Sequence, residues 1–530
     1  MAADTLTLTP GAVAAKRAIM FPYPPGRTSA DYTRTLSSLT VNSVSYIEGR
    51  DFDLSFEEPG VTLKWKAAAI AAGYGWQLNC TLVVPPGGAA LVPQTFGLTD
   101  QLGSRTPLMA FAGDSIQATT TSQNTSLLIN YANLGMQYWI PILTGQGVKT
   151  RVDLNFGVSS NTSTQLLARI DAVCASDADI VLVQIGTNDM GAGISFTQTI
   201  TNIAEIWGRL LAAGKLVIAL PPLPRDSAGT YPLTSAQVFR LWRVIRWVEG
   251  QQVSGRRNFY VIDTAAIFVN PTSAAGAPKT GYSGDGLHPT TIGDYYTSQK
   301  VVALLNSLFP AGASTFANVT DIYNVTDNPT GNLLTNGLLD GTGAVTTNAV
   351  GTLAGSFAAN FELSHVTAGG TFTDVTTTGT KITHPVDGRP GQRIAMAGNY
   401  NGTSSGLLNG HSLMIFQQLF GSFTNFSIGD TLRARCEIIK GAAATENIAG
   451  IELQFNAVQA GVTHRRGCGS SYGLNLPIET FAATLETPSL TLTAVPTTVV
   501  CGIRVYFKVG AHTLGSSFDL YGLKLEKVVA

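Results

Sequence analysis

Between about residue 105 and residue 311, short apolar runs alternate with stretches whose apolar residues recur every three to four positions. This exchange of periods limits the fold more than any other feature of the chain. Leu108 to Phe111 reads as a buried strand, and Leu166, Leu167, Ile170, Val173 and Cys174 then follow at helical spacing. Ile180 to Ile185 is a second strand, followed by a helix carrying Ile200, Ile203, Ile206 and Leu210 and by a strand from Lys215 to Leu220. Thr234 with Gln237 three residues on is a capping-box pattern, opening a helix whose apolar side carries Val238, Leu241, Val244, Ile245 and Val248. Phe259 to Ile262 and a helix from about Thr290 to Leu308 complete the series. Such alternation predicts a mostly parallel sheet covered by helices on both faces.

The flanks differ. Residues 1–104 hold short alternating runs punctuated by Pro-Pro and Gly-Gly, which predicts a small β-rich domain. After Pro310, residues 312–330 are Ala, Thr, Asn, Asp and Gly without periodicity and read as a linker. Residues 331–530 carry β-type runs (Arg393 to Met396, Ser412 to Phe416, Thr431 to Ile439, Gly450 to Phe455, Val500 to Val509, Phe518 to Lys527) and Gly-rich turns, which suggests a two-sheet sandwich. The expected division is therefore 1–104, 105–311, linker 312–330 and 331–530.

Composition excludes several classes. Lys and Arg number 33 against 34 Asp and Glu, a net charge of −1, so nothing favours nucleic acid or an anionic membrane surface. No apolar run approaches the 18 or so residues of a spanning helix. Lys16 and Arg17 interrupt the first apolar stretch, so no export signal is expected. Five scattered cysteines (Cys80, Cys174, Cys436, Cys468, Cys501) show neither a disulfide framework nor zinc-ligand spacing, and read as small buried hydrophobes. No cofactor or metal is expected.

Histidine directs the search for chemistry, because an imidazole is the usual base at neutral pH. Of six histidines, His365, His384, His411, His464 and His512 lie in the C-terminal region, leaving His288 alone in the first 364 residues. Asp285 stands three residues before it in Gly284-Asp285-Gly286-Leu287-His288-Pro289, close enough to turn back onto Nδ1 and leave Nε2 as the base. Asp285 could equally cap the following helix, where Pro289 suits the first turn. Gly113-Asp114-Ser115 follows the first strand, and the carboxyl end of a parallel strand is where open α/β sheets place their chemistry. Gly186-Thr187-Asn188-Asp189 follows another strand and offers an amide donor, and Gly157 in Asn155-Phe156-Gly157-Val158-Ser159-Ser160-Asn161 offers a freed backbone N–H. Each pattern taken singly has an ordinary turn or cap reading.

Together, and in this order, the four blocks resemble those of the SGNH hydrolase family, also called GDSL-like esterases. The resemblance covers roughly residues 105–311. It implies a flavodoxin-like three-layer α/β sandwich with a parallel sheet, set between the β-rich N-terminal domain and a jelly-roll-like C-terminal sandwich. It further implies Ser115 as nucleophile, His288 as general base and Asp285 as its orienting carboxylate. The oxyanion hole would comprise the amides of Ser115 and Gly157 with the Asn188 side chain. Activity should then rise with pH as the imidazole loses its proton. The α/β-hydrolase pattern fits worse, since Gln117 stands where it requires glycine.

The family's substrates are varied, so the neighbouring domains bear on the choice. Asn332-Leu333-Leu334-Thr335-Asn336-Gly337 and Phe518-Asp519-Leu520-Tyr521-Gly522-Leu523-Lys524-Leu525-Glu526 resemble the opening and close of carbohydrate-binding-module-like sandwiches, including those of phage tail proteins. Tyr400, Tyr472 and Tyr506 could stack on sugars, although core packing suits each of them better. These features point to an esterase removing O-acetyl groups from a bacterial surface polysaccharide, capsule or O-antigen. A phage tail spike or fibre would explain the missing export signal. In that setting the N-terminal domain attaches to tail or baseplate proteins, the assembly is a homotrimer, and the protein acts from the virion at the cell surface without entering a membrane. The alternatives are a bacterial esterase outside a virion and a glycan-binding adhesin without catalysis. A chain cut after residue 312 is expected to stay folded and active on small aryl esters.

Overall fold

The computed structural model describes residues 106–118, 131–132, 135–225, 229–252, 258–273, 276–309, 321–343, 346–347, 351–366, 370–402, 412–419, 424–442, 447–470, 476–508 and 510–528, together with the strands of the first 81 residues. Packing divides the chain into two units, one of residues 1–119 and 149–289, the other of residues 120–148 and 290–530. No helix among the described residues is long and apolar enough to cross a membrane.

In the first unit, the early strands pair antiparallel in two small sheets. Ala3–Leu8, Trp76–Thr81, Ser37–Val41 and Val44–Ile47 form one, and Ala18–Pro22, Gly60–Trp65 and Phe52–Glu57 form the other. The α/β region builds a five-stranded sheet in the order Lys149–Gly157, Leu108–Gly113, Ile180–Gln184, Leu216–Leu220, Phe259–Val261, and every neighbouring pair is parallel. Ile180–Gln184 and Leu216–Leu220 are buried along their whole length, as strands covered on both faces must be. Trp207 of helix Phe196–Ala212 stacks on Trp247 of helix Ser235–Glu249, with ring centroids 5.5 Å apart. The Thr234 capping box is complete: Gln237 N–H donates to Thr234 Oγ1 at 3.3 Å, and Thr234 N–H donates to Gln237 Oε1 at 2.8 Å.

The second unit contains two seven-stranded sheets. One includes Ser412–Leu419, Thr498–Phe507, Ile448–Gln459 and Val462–Ser470. The other includes Gly370–Thr383, Pro390–Gly402, Gly510–Lys527, Thr431–Lys440 and Phe481–Glu486. Leu413, Ile451 and Ile503 of the first share one core with Ile394, Leu432 and Leu520 of the second, which makes the pair a sandwich. The beginning and end of this region interlock: Asn332 Nδ2 donates to the Leu523 carbonyl at 2.9 Å, and Leu525 N–H donates to Asn332 Oδ1 at 3.0 Å. Cys436, Cys468 and Cys501 are buried in the same core and Cys174 is half-buried, whereas the side chain of Cys80 lies outside the described residues. Tyr400 and Tyr506 are each 2% exposed, so they are core residues and not sugar platforms; Tyr472 lies outside the described residues.

The expected division at residue 311 is not where the packing divides. Helix Thr291–Leu308, which the sequence assigns to the α/β domain, packs with helix Met136–Leu143 and the C-terminal sheets. Trp139 meets Tyr295 edge-on at 5.0 Å and Phe481 at 5.7 Å, and both Trp139 and Tyr295 are fully buried. A cut after residue 312 removes Phe481 from this cluster and leaves two large aromatic side chains uncovered, so the truncated chain is expected to aggregate. Phe481→Ala should cost about 3–5 kcal/mol in urea unfolding. A cost below about 1 kcal/mol would show that the helix pair does not depend on the sandwich.

Candidate active site

The parallel register aligns the carboxyl ends of the central strands. Gly113 lies opposite both Gly157 and Gln184, and Gln184 lies opposite Leu220. Within this five-stranded sheet, Leu108–Gly113 comes first in the chain and has Lys149–Gly157 on one side and Ile180–Gln184 on the other, the strand-order reversal at whose carboxyl ends open α/β sheets form a crevice. All four sequence blocks lead to this crevice or its edge.

Ser115 opens a single helical turn, Ser115–Ala118, directly after the strand. The buried carboxylate of Asp114 starts the turn by accepting the Ile116 N–H at 3.0 Å. A ladder of amides fixes its base: Gln117 Nε2 donates to Gln184 Oε1 at 3.0 Å, and Gln184 Nε2 donates to the Pro221 carbonyl at 3.0 Å. Burial raises the Asp114 pKa from 3.8 to about 7; the nearby Asp189 charge adds to this, and the Ile116 N–H opposes it. The folded protein therefore binds a proton here that the unfolded chain releases above about pH 4. This contribution to stability is complete below pH 3.8 and is lost as pH rises to about 7. Across that window the loss is on the order of 4 kcal/mol. Asp114→Asn should flatten the decline, as read from urea midpoints at several pH values; an unchanged slope would mean that another group is responsible.

The loop at 283–289 carries the other two residues. Gly286 takes φ +85°, a left-handed turn that folds the loop back on itself. Asp285 Oδ1 accepts the N–H groups of Leu287 at 2.9 Å and His288 at 2.7 Å, while Oδ2 lies 2.6 Å from His288 Nδ1. His288 Nε2 lies 2.9 Å from Ser115 Oγ. Burial pushes the Asp285 pKa up, but the hydrogen bonds from the His288 ring and the two amides outweigh it and hold the carboxyl below its ordinary range. The helix-cap role left open for Asp285 belongs to Thr290, whose Oγ1 accepts the Gly293 N–H at 3.2 Å. Pro289 precedes that cap, outside the first turn where the sequence suggested it.

One of the three donors expected from the sequence is taken up inside the protein. The Gly157 N–H is engaged: it donates to Asn155 Oδ1 at 2.8 Å, and Asn155 Nδ2 donates to the Gln117 carbonyl at 2.9 Å. Glycine is required at 157 for space, since a Cβ there would lie 2.2 Å from the Ala118 nitrogen. Further along the loop, Ser160 is exposed at φ +64°, and its N–H meets no acceptor among the described residues. Asn188 Nδ2 donates to the Asn161 carbonyl at 3.1 Å, which brings the Asn188 amide beside this part of the loop. Asp189 is buried and accepts from Ser163 N–H at 2.8 Å, from Thr199 Oγ1 at 3.0 Å, and from Ser163 Oγ. It thereby joins the helices that carry these loops.

Arg169 is a residue that the sequence did not single out. Its guanidinium donates to the carbonyls of Phe156 at 2.7 Å and Gly113 at 2.9 Å and to Asn161 Oδ1 at 2.9 Å. The only trace in the sequence is a basic residue interrupting the apolar face between Leu166 and Val173. Among the described residues, no group of three or more His, Cys, Asp or Glu side chains could hold a metal ion.

Comparison with known proteins gives the following. Residues 111–294 match the model of the GDSL-like Lipase/Acylhydrolase family. No curated protein matches the chain. Among solved structures, it is similar to a putative lipolytic protein of the G-D-S-L family from Desulfitobacterium hafniense, with 18% identity, 38% of this chain and 99% of that chain covered, and a TM-score of 0.29. A mutant of an acetyl-xylooligosaccharide esterase from Geobacillus Stearmophilus shows 18% identity over 38% of this chain and 94% of that one, with a TM-score of 0.29. The enzymatically active domain of bacteriophage CBA120 tailspike protein 4 shows 11% identity over 32% of this chain and 20% of that one, with a TM-score of 0.20. Over residues 111–294, the chain carries a domain of the GDSL-like lipase/acylhydrolase family.

Proposed function

We propose that this domain is a serine esterase that transfers an acyl group from a sugar ester to water. The observation that carries the reading is the continuous contact from Ser115 Oγ to His288 Nε2, at 2.9 Å, and from His288 Nδ1 to Asp285 Oδ2, at 2.6 Å. As Ser115 Oγ attacks the ester carbonyl, its proton passes to Nε2 of His288, and the ionised Asp285 stabilises the imidazolium. The tetrahedral oxyanion is held by the Asn188 amide with the main-chain N–H groups of Ser115 and Ser160, the latter in place of Gly157. Its collapse breaks the ester C–O bond, and His288 gives its proton to the leaving alcohol. Water then attacks the acyl-serine by the same route and releases the carboxylic acid and free Ser115.

The substrate in this reading is an O-acetylated bacterial surface polysaccharide, supported by the large β-sandwich in the same chain. The setting is a homotrimeric phage receptor-binding protein attached through its N-terminal strands to tail or baseplate proteins, supported by the sequence features above. Acetate release from purified capsule or O-antigen tests the substrate: it should occur with the wild-type chain and not with Ser115→Ala. Turnover of aryl acetates without action on any polysaccharide would move the protein to the small-ester class. Glycan binding without any turnover would make it an adhesin. Light scattering should return three times the chain mass, and a monomer would count against the tail-spike setting.

A further inference from the structure

Beside the loop of the base stands a cation that the mechanism does not use. Arg225 follows the strand Leu216–Leu220 at the same rim of the sheet and is 9% exposed. Its Nε donates to the Tyr231 carbonyl at 2.5 Å. The Tyr231 ring stands edge-on to the His288 ring, with centroids 5.7 Å apart. Thr230 N–H donates to the Asp285 carbonyl at 3.1 Å, and a Cβ on Gly229 would lie 2.9 Å from that oxygen. The segment 229–231 is thus laid directly on the loop of the base, and Arg225 is tied to it.

What distinguishes Arg225 is the part of its guanidinium left over. Among the described residues, neither Nη group meets an acceptor and no carboxylate lies within 4 Å. A guanidinium stays protonated and carries five donors in a planar fork, and the described residues use only Nε, so the Nη donors of this largely buried side chain are left to whatever enters the rim. Burial lowers its pKa, and the charges of Asp285 and Asp114 act against that. Both carboxylates are committed elsewhere, Asp285 to the His288 ring and two amides, Asp114 to the Ile116 amide. The two Nη groups form the open end of a positive fork at the catalytic rim, without an acceptor among the described residues, and their geometry fits a planar anion with two oxygens.

We propose that Arg225 is a specificity-determining residue that binds a carboxylate of the ester substrate. This rests on the esterase reading of Ser115 and narrows its substrate from any acylated sugar to an acid-bearing one. The carboxylate belongs either to the alcohol side, as in an O-acetylated sugar acid, or to the acyl side, as in a dicarboxylic half-ester.

Two pairs of substrates separate the sources. O-acetylated methyl glucuronoside against O-acetylated methyl glucoside tests the sugar side; para-nitrophenyl hemisuccinate against para-nitrophenyl acetate tests the acyl side. Wild-type protein should favour the charged member of one pair by about 10- to 100-fold in kcat/KM, the range expected of a charge-assisted hydrogen-bond pair. In Arg225→Gln that ratio should collapse towards one, and Arg225→Lys should restore part of it. If Arg225 served only to position Tyr231 and His288, both members of each pair would fall together and the ratio would not move. That result, or a wild-type ratio near one in both pairs, overturns the proposal. Should Arg225→Gln not fold, the wild-type preference must itself shrink when salt is raised to shorten the screening length; a salt-independent preference also overturns it.

Binding distinguishes this failure from failure of the esterase reading. Methyl glucuronoside and monomethyl succinate are titrated by NMR against the full chain and against Arg225→Lys, with methyl glucoside as the neutral control. Saturable, salt-sensitive binding of one carboxylate, weakened in the variant, upholds the anion site even if no ester is turned over. Absence of saturation by either carboxylate overturns the site even if esters are cleaved.

Discussion

Ser115→Ala should lower kcat/KM for aryl acetates by roughly a million-fold, close to the level left when a whole triad is removed. The loss is so large because Oγ has no substitute. His288 Nε2 is directed at that single oxygen at 2.9 Å, and without it the base has no nucleophile to deprotonate. The fold should not suffer, since Asp114 starts the helical turn by accepting the Ile116 N–H and the Gln117–Gln184 pair fixes its base. Steady-state kinetics with an unchanged urea midpoint would be the expected pair of results. Retention of more than about one hundredth of the activity would place the reaction at another residue.

Asp285→Asn should cost roughly ten-thousand-fold in kcat, with a much smaller change in KM. The asparagine oxygen can keep the Leu287 and His288 amides, so the loop survives, but a side-chain amide facing Nδ1 no longer selects the tautomer that leaves Nε2 as base. The acid response should change as well. The Asp285 carboxyl is held below its ordinary range, so its contribution to stability is present above the unfolded-state pKa and is lost on acidification through the lower folded-state value. In the variant that acid-side loss should diminish. A kcat within tenfold of wild type would mean that Asp285 shapes the loop without serving the base.

Local patterns carried most of the central sheet. Leu108–Gly113, Ile180–Gln184, Leu216–Leu220 and Phe259–Val261 lie within a residue or two of the apolar runs that announce them, because strands buried on both faces must be apolar throughout. The edge strand Lys149–Gly157 was not legible. Arg151 and Asp153 on it pair at 2.7 Å and face water, so it shows no apolar run. Helix Met136–Leu143 contains Pro141, a residue that argues against a helix when read locally. The proximity of Ser115 and His288 could be reached only through resemblance, since 173 positions of chain separate them. Arg169 and Arg225 were invisible for a related reason: a long cationic side chain is ordinarily solvated, and only the folded chain shows what its head meets. Gly157 was assigned to the right loop but the wrong task, because the donor role and the space role call for the same residue type.

That last distinction decides what variation the loop can tolerate. A library randomised at 157 and 160 and sorted for ester turnover should return glycine almost alone at 157, because any larger residue displaces the turn that begins with Ser115. Position 160 should accept glycine and other residues tolerant of φ +64°. The more restricted of the two positions would then be the one that never meets the substrate, and a map of intolerance around this crevice would trace its scaffolding more faithfully than its chemistry.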